Sequence, residues 1–336
     1  MQRWLGKVLG VTLIIVSFSL GWQLMNLQQF LDAPLQLHDG ELEYDVAPGV
    51  GLIAVANDLH RRGILERPRY LVWYARWEGK ADRVQTGMYR LSPGMTPVQL
   101  LDKLVTGDVI QYALTIPEGW TFRQLRAAVD ADPKLVHQLG TGSDDEIMER
   151  IGHAGLHPEG RFFPDTYYFT AGTTDTDFLR RAFTAMDKRL AGEWQDRAPG
   201  LPYRSPYEAL TMASIIERET AVPAERGQIA GVFVRRLRRG MRLQTDPTVI
   251  YGMGAAFDGN LRRRDLLADT PYNTYRHAGL PPTPIALPGA DAIHAALHPA
   301  PGDSLYFVAR GDGTHHFSAT IAEHNEAVRK YQLGRK

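Results

Sequence analysis

The stretch SPYEALTMASIIERET, residues 205–220, has the features of an amphipathic helix. Ser205 is a strong N-cap, Pro206 suits the first helical position, and Glu208 stands three residues after the cap, as in a capping box. Residues at helical spacing then form one apolar stripe, which consists of Ala209, Met212, Ala213 and Ile216. A valine–proline pair at 222–223 ends the pattern. The sequence therefore predicts a helix with one buried face.

This helix carries two glutamates beside its apolar stripe. At about 100° per residue, Glu219 projects roughly 70° from the centre of the stripe and Glu217 roughly 90° on the other flank. Partial burial and the helix dipole raise the pKa of a carboxyl group at this end of a helix, as a general acid requires. The geometry favours Glu219 only slightly. An ion pair between Glu219 and an arginine such as Arg226 explains the pattern equally well.

Two polar loops follow the helix in sequence. A second helix is predicted over 225–239, and within residues 241–254 a run of polar residues is predicted to form a loop ahead of a short strand. The loop at 271–275 has the same polar and aromatic character. Their hydrogen-bonding groups and aromatic rings suit a sugar, although ordinary surface loops also have this composition. The candidate side chains are Gln244, Thr245, Asp246, Tyr251, Asn273 and Tyr275.

Residues 41–113 repeat a pattern of strand, Pro/Gly turn and helix. Alternating side chains predict strands at 41–46 and 88–91, and apolar spacing predicts helices between them. Thr96, Pro97 and Gln99 form the start of a further helix. We therefore predict a small α/β module here, followed by a larger mixed α/β domain over 114–336, in which 130–155 is too polar for an assignment.

The N-terminal segment predicts an uncleaved membrane anchor over residues 1–32. No charged residue occurs from Val8 to Leu31, and Val8–Met25 is long enough to cross a bilayer as a helix. Basic residues precede this segment and acidic residues follow it, so we expect a cytoplasmic N-terminus and an exported remainder. A cleaved signal peptide is the alternative, but no small-residue cleavage site follows. Residues 26–40 form a spacer in this interpretation.

Composition excludes several classes of function. The 336 residues contain no cysteine, which excludes disulfides, thiolate metal sites and a cysteine nucleophile. Lys+Arg and Asp+Glu both number 38, so there is no global field to attract nucleic acid, and none is expected as a partner. The arginines at 235–242 and 262–264 are interpreted as solvated surface. His294 and His298 have zincin spacing, but Ala295 stands where the catalytic glutamate belongs, so no metal site is predicted.

Four segments together resemble the MltG (YceG-like) endolytic murein transglycosylases: SIIERET at 214–220, residues 241–254, residues 272–275 and residues 279–282. The resemblance covers nearly the whole chain. It implies an α+β fold with an N-terminal transmembrane helix, a LysM-like module at 41–113 and a catalytic domain at 114–336. It also implies that the catalytic acid is Glu219, the second glutamate of Glu-x-Glu-Thr. Thr283 stands where the family more often has glycine, which affects only local loop shape.

The resemblance implies a lyase reaction that requires one carboxyl group and no cofactor or metal. Ordinary glycosidases need two carboxyl groups, whereas Glu219 alone would protonate the bond between N-acetylmuramic acid and N-acetylglucosamine. It would then deprotonate the C6 hydroxyl that closes a 1,6-anhydro ring. Asp246 as a second carboxylate supporting hydrolysis is the alternative. The residues expected to position the glycan are Thr220, Gln244, Thr245, Asp246, Tyr251, Asn273 and Tyr275.

The same resemblance implies a place and a role in the cell. The chain would be a single-pass protein of the bacterial inner membrane that cleaves nascent glycan strands and thereby ends their elongation. Peptidoglycan glycan strands are the expected partner, and this role implies work beside peptidoglycan synthases. The alternative from another class is a membrane-tethered scaffold that binds peptidoglycan without chemistry. The small module favours the scaffold, and the acid Glu219 favours the enzyme.

Overall fold

A computed structural model describes residues 2–37 and 40–334 of the chain. The contacts divide the chain into two compact units. The first unit contains the residues up to Tyr112 together with Phe169–Gly172. The second unit contains Ala113–Tyr168 and the residues from Thr173 onward.

The first unit consists of helices around a two-stranded sheet. Strands β1 and β2 pair antiparallel, with Tyr44 opposite Tyr89, and the buried faces of the helices form its core. Thr96 caps α4, and Gln99 completes the predicted capping box. The elements are α1 (Gln2–Asp32), β1 (Leu42–Val46), α2 (Leu52–Arg61), α3 (Pro68–Trp77), β2 (Gly87–Leu91) and α4 (Pro97–Thr106).

Helix α1 ends at Asp32, the predicted end of the anchor, and includes the first residues of the predicted spacer. Its segment Gly10–Asp32 has the length and composition of a membrane-crossing helix. The prediction of a spacer from residue 26 onward is wrong for 26–32, because the helix continues to Asp32. Phe30 in its last turns is buried and packs edge-to-face on Tyr70 of α3, with the ring centroids 5.7 Å apart. This tertiary contact stabilises turns that have no clear periodicity of their own.

The second unit is mainly helical. Strands β5 and β6 form an antiparallel pair with Val308 opposite His316. In another two-stranded sheet β3 pairs with β4, and residues 113–115 and 166–168 of these strands belong to this unit. The strands are β3 (Gln111–Thr115), β4 (Thr166–Thr170), β5 (Tyr306–Ala309) and β6 (His315–Ser318). The helices are α5 (Phe122–Ala131), α6 (Asp144–Arg150), α7 (Asp175–Gln195), α8 (Pro206–Glu219), α9 (Pro223–Arg238), α10 (Asp246–Met253), α11 (Arg263–Leu267), α12 (Ala290–Leu297) and α13 (Ile321–Val328).

Helix α8 lies at the centre of the second unit. It packs against α12, α9, α7 and α10, and its residues from Ala209 to Ile216 are all buried. Ser205 caps it as predicted, by accepting a hydrogen bond from the backbone N–H of Glu208. The carboxyl group of Glu208 accepts from the backbone N–H of Arg204 instead of closing the predicted capping box. The interior position of α8 fixes the place of its last residue, Glu219.

The segment after α9 is a helix where the sequence pattern predicts a loop and a short strand. The β-branched pair at 249–250 favours a strand locally. Asp246 and Pro247 nevertheless open α10 directly after its N-cap Thr245. Val249 is buried, and α10 packs on α8. Tertiary packing therefore overrides local propensity here, and the strand prediction is wrong. Helix α6 likewise forms within the polar region left without an assignment.

The turn that contains Glu159 depends on a glycine. Gly160 has a φ of 81°, in the left-handed region. A Cβ atom added there would lie 2.5 Å from the ring of Pro284. Both the backbone conformation and the close approach therefore require glycine at this position.

Replacement of Gly160 measures how much a Cβ atom close to the ring of Pro284 lowers the stability of the fold. We expect Gly160→Ala to lower the free energy of unfolding by roughly 2–4 kcal/mol, since it combines left-handed strain with overpacking. Gly155→Ala is the matched control, because Gly155 has a φ of 78° and open space around it. That control should cost about 1–2 kcal/mol. Urea unfolding of the full chain in detergent measures both, and equal losses would contradict the steric account.

Candidate active site

The carboxyl group of Glu219 lies in a groove at the C-terminal end of α8. The groove has a volume of about 470 Å³, and Glu219 is part of its lining. The hydroxyl group of Thr245 donates a hydrogen bond to Oε1 of Glu219. Other side chains that line the groove are Arg236, Gln244, Asp246, Tyr275, Tyr306 and His315. The structure thus brings Glu219 together with four of the residues predicted to bind sugar.

Burial raises the pKa of Glu219 to about 7. The negative charge of Asp246 acts in the same direction, while the hydrogen bond from Thr245 and the positive charges of His315 and Arg236 oppose it. A carboxyl group with this pKa is partly protonated near neutral pH. It can therefore donate a proton and later accept one, as acid–base catalysis requires.

A network of threonines holds the segment that carries Thr245. The backbone N–H of Thr245 donates to Oγ1 of Thr274 at 3.1 Å, and the hydroxyl groups of Thr248 and Thr274 lie 2.9 Å apart. Gln244 precedes this network with a φ of 51°, an uncommon value for a residue with a side chain. Such strain is typical of functional sites, where the surrounding structure enforces it. Here it directs Gln244 into the groove lining.

Arg236 supplies a buried positive charge beside the groove. The residue is 7% exposed, and its Nε donates to the carbonyl of Leu305 at 2.6 Å while Nη1 donates to that of Leu243 at 2.7 Å. Burial lowers the pKa of Arg236. Arg235 likewise donates to the carbonyl of Ser304, at 2.8 Å. The prediction of a solvated arginine face is therefore wrong for these two residues, which bind α9 to the loop that precedes β5.

Asp246 and Tyr275 form a hydrogen-bonded pair at the groove. The Tyr275 hydroxyl donates to Oδ1 of Asp246 at 2.6 Å. Burial and this contact with Asp246 both raise the pKa of Tyr275. The tyrosine therefore stays protonated and fixes the orientation of the aspartate.

Three other residues predicted to bind glycan have internal partners instead. Asn273 is 0% exposed, and its amide donates to the carbonyls at the C-terminal end of α11, those of Asp265, Leu266 and Ala268. Thr220 is buried and accepts a hydrogen bond from the backbone N–H of Val222. The Tyr251 hydroxyl donates to Glu159. Asn273 and Thr220 thus shape the loops from within, because their polar atoms already bond to the backbone.

The structure also separates the two glutamates of α8. Glu217, and not Glu219, lies beside Arg226, with an N···O distance of 3.6 Å. Its carboxyl group also accepts a hydrogen bond from the backbone N–H of Gly289 at 3.0 Å. Burial raises the pKa of Glu217 as well. The alternative of an ion pair between Glu219 and Arg226 is therefore wrong, because that partner belongs to Glu217.

Two groups that the sequence analysis did not select are Glu159 and Glu193. Glu159 is a buried acid within the aromatic stretch 159–169, whose density of rings is the available signal. Glu193 of α7 lies beside the two histidines of α12, with 3.0 Å to Nδ1 of His294 and 4.0 Å to Nε2 of His298. Its carboxylate also pairs with Arg189 at 3.2 Å. The Glu193 cluster does not line the groove of Glu219.

The groove thus holds an acid with a raised pKa, hydrogen-bonding side chains and tyrosine rings, an arrangement typical of acid–base enzymes with a mixed α/β domain. Residues 44–330 match the model of the YceG-like family, so the chain belongs to that family and the resemblance is confirmed. It is similar to the endolytic murein transglycosylase of Bacillus subtilis (strain 168), with 33% identity over 304 residues. That alignment covers 85% of this chain and 84% of the relative.

Further similarities extend over most of the chain. An endolytic murein transglycosylase of Streptococcus pneumoniae serotype 2 is 27% identical over 341 residues, covering 90% of this chain and 61% of the relative. The crystal structure of a yceG-like protein from Listeria monocytogenes matches with a TM-score of 0.55 and 31% identity. This match covers 85% of the present chain and 98% of the other.

The raised pKa of Glu219 predicts a pH-dependent effect on stability. The folded-state pKa of about 7 exceeds the ordinary value of 4.5, so burial of the charge destabilises the fold increasingly as the pH rises from 4.5 through 7. We expect Glu219→Gln to gain on the order of 1–3 kcal/mol in free energy of unfolding, relative to the natural chain, between pH 4 and pH 8.

Urea unfolding of the full chain in detergent across this pH range measures the gain. Glu149→Gln, at an exposed carboxylate on α6, is the control and should show no such trend. A constant difference between Glu219→Gln and the natural chain at all pH values would mean that the pKa of Glu219 is not raised.

Proposed function

We propose that this chain is a membrane-anchored endolytic lytic transglycosylase of peptidoglycan. The substrate bond is the β-1,4 link between N-acetylmuramic acid and N-acetylglucosamine, and the products end in 1,6-anhydro-N-acetylmuramic acid. The names of the curated relatives support the reaction class. The observation that carries the proposal is the groove carboxyl of Glu219, which has a pKa of about 7 and a hydroxyl partner.

The reaction begins with proton donation from Glu219 to the glycosidic oxygen. The bond from C1 of the muramic residue to that oxygen breaks, and N-acetylglucosamine leaves with a free C4 hydroxyl. Positive charge develops at C1 and its ring oxygen. The C6 hydroxyl of the same muramic residue then attacks C1 and closes the anhydro ring. Its proton returns to Glu219, which is thereby reset without consumption of water.

The residues around Glu219 influence how tightly its carboxyl group holds the proton and how stable the carboxylate is after the proton has left. The Thr245 hydroxyl donates a hydrogen bond to the carboxyl group and therefore stabilises the carboxylate after Glu219 has given up its proton. Asp246 acts in the opposite sense and keeps the proton on Glu219 before the reaction. Gln244, Asp246 and Tyr275 line the groove where sugar hydroxyl and acetamido groups would bind. Asp246 is also the residue that could activate water if the reaction were hydrolysis.

The remaining features concern placement in the cell. We propose that α1 spans the inner membrane, with the N-terminus in the cytoplasm and the second unit outside it. The strand–helix–helix–strand order of β1, α2, α3 and β2 supports a LysM-like module that binds glycan. Cleavage of nascent strands beside the synthases would end their elongation. The alternative is a non-catalytic scaffold that binds peptidoglycan. The same module and the same anchor would serve that function.

Muropeptide mass spectrometry tests the proposed reaction. The full chain in detergent should release internal fragments with anhydro-muramic ends from purified peptidoglycan, and Glu219→Gln should reduce their rate of release by about 10²–10⁴-fold. Glu217→Gln is the matched control, a second buried acid of α8 that should retain activity. Reducing ends would contradict the lyase reaction. Intact glycan with retained binding in all samples would favour the scaffold.

The pH dependence of kcat/KM tests the role of Asp246. Because Glu219 must be protonated to act, kcat/KM should fall as the pH rises through about 7. Asp246→Asn removes a negative charge that raises the pKa of Glu219, so this fall should move to lower pH. Asp187→Asn, at an exposed site on α7, should leave the profile in place. A profile for Asp246→Asn that coincides with that of the natural chain would contradict this role.

A further inference from the structure

A second cavity lies beside α8 and α10, the two helices that also contribute to the groove. It has a volume of about 460 Å³, within the range of small-molecule sites. Side chains that line it are Thr121, Gln124, Glu159, Arg218, Tyr251 and Tyr272. The proposed reaction uses none of these residues, so the cavity needs its own explanation.

Glu159 places an unusual acceptor at this cavity. The residue is 4% exposed, and its two carboxyl oxygens accept from the backbone N–H of Phe122 and from the Tyr251 hydroxyl, each at 2.9 Å. A carboxylate oxygen can accept more than one hydrogen bond. Glu159 therefore keeps acceptor capacity while lining the cavity. Burial raises its pKa to about 7, which shows that its charge is costly to keep there.

Two tyrosine rings form a wall of the same cavity. Tyr251 and Tyr272 pack edge-to-face with centroids 4.9 Å apart. The hydroxyl groups of Tyr272 and Thr283 lie 2.9 Å apart, which fixes the second ring. A fixed aromatic wall beside a buried acceptor suits an N-acetylated sugar, whose apolar face stacks on a ring while its N–H and O–H groups donate.

The cavity and the groove share the same two helices. Arg218 lines the cavity and the next residue, Glu219, lines the groove. On α10, Asp246 lines the groove, whereas Pro247 and Tyr251 line the cavity. The two spaces therefore border the same turns of α8 and α10, within about one helix diameter, 10–12 Å. An extended polysaccharide spans that distance in a few sugar residues.

We propose that this cavity is a second saccharide subsite, which binds an N-acetylated sugar of the same strand a few residues from the bond at Glu219. The inference rests on the proposed function and deepens it. A strand held at a second point, away from the scissile bond, is bound in its interior, which suits cleavage within the strand rather than at its end.

Binding of glycan strands to a variant that cannot cleave them tests the subsite directly. Glu219→Gln in the full chain, in detergent, provides the reference, and purified uncross-linked glycan strands are the probe. Addition of Glu159→Gln or Tyr272→Ala should weaken binding at least about tenfold, the loss of one good contact. In the active chain, the same changes should raise KM with little change in kcat.

Asp175→Asn is the matched control for loss of a buried carboxylate. Asp175 is fully buried and accepts hydrogen bonds from the backbone N–H groups of Gln138 and Leu139, each at 3.0 Å. It should change stability and leave strand affinity unchanged. Unchanged affinity in both Glu159→Gln and Tyr272→Ala would overturn the subsite even if cleavage occurs. If the natural chain cleaves no glycan but both changes still weaken strand binding, the subsite would stand and the proposed lyase reaction would be rejected.

A second, independent observation concerns the surface of α3. Trp73 and Trp77 are 56% and 81% exposed, although large apolar side chains favour burial. The same helix contacts α1: the Tyr70 hydroxyl donates to Oε1 of Gln23 at 3.2 Å. Trp22, next to this contact on α1, is 61% exposed. The exposed indoles of α3 thus belong to a helix that is joined to the apolar helix α1.

We infer that α3 lies at the membrane–water interface, with Trp73 and Trp77 among the lipid headgroups. Tryptophan and tyrosine concentrate at this depth, because their rings are apolar and their polar tips stay hydrated. The Tyr70–Trp73 pair, with centroids 5.9 Å apart, continues the aromatic surface from α1 onto α3. The inference rests on the proposal that α1 spans the bilayer.

Fluorescence quenching by brominated lipids tests this placement. Full-length variants that keep one tryptophan, with the others changed to phenylalanine, are reconstituted in nanodiscs. Trp73 and Trp77 should be quenched most by bromine near the headgroup end of the acyl chains. Quenched Trp22 with unquenched Trp73 and Trp77 would overturn the inference about α3. Unquenched Trp22 would overturn the membrane span on which it rests.

Discussion

The hydrogen bond between Thr245 and the partly buried carboxyl of Glu219 is the contact on which the active-site account depends. Burial holds the proton on the acid, and the threonine hydroxyl stabilises the charge that remains when the proton leaves. The buried helix α8 supplies the acid, and the threonine network before α10 supplies its partner. Arg236, bound to the backbone on both sides, keeps a positive charge nearby. The surrounding fold thus determines how readily the carboxyl group of Glu219 loses its proton.

A carboxyl group with a hydroxyl partner and a raised pKa occurs twice in the described part of the second unit. Glu159 and Glu219 are both shielded from water, both accept a hydrogen bond from a hydroxyl group, and both have a pKa raised to about 7 by burial. Tyr251 on α10 bonds to the first acid, and Thr245 at the start of α10 bonds to the second. Helix α10 therefore couples the position of the two acids. This arrangement explains why a short helix with a strained residue before it lies between the two spaces.

Local chemistry predicted much of this molecule from its sequence. Caps at Thr96 and Ser205 and the flank position of Glu219 follow from short-range patterns, and the structure confirms the caps. The short strand expected within 241–254 and the solvated face expected around Arg236 are wrong, since packing on α8 and backbone acceptors in the loop before β5 decide those positions. The pairing of Arg226 with Glu217 instead of Glu219 likewise depends on tertiary structure. A sequence pattern contains no information about which distant carbonyl or carboxylate a side chain will meet.

The central claim is that one carboxyl group breaks the glycan without water. Digestion of purified peptidoglycan by the full chain in H₂¹⁸O, followed by mass spectrometry of the new ends, tests it most directly. We expect anhydro-muramic ends with no ¹⁸O, because the attacking oxygen is the C6 hydroxyl of the substrate. Reducing ends that carry one ¹⁸O would contradict it and would make Asp246 the activator of a water molecule.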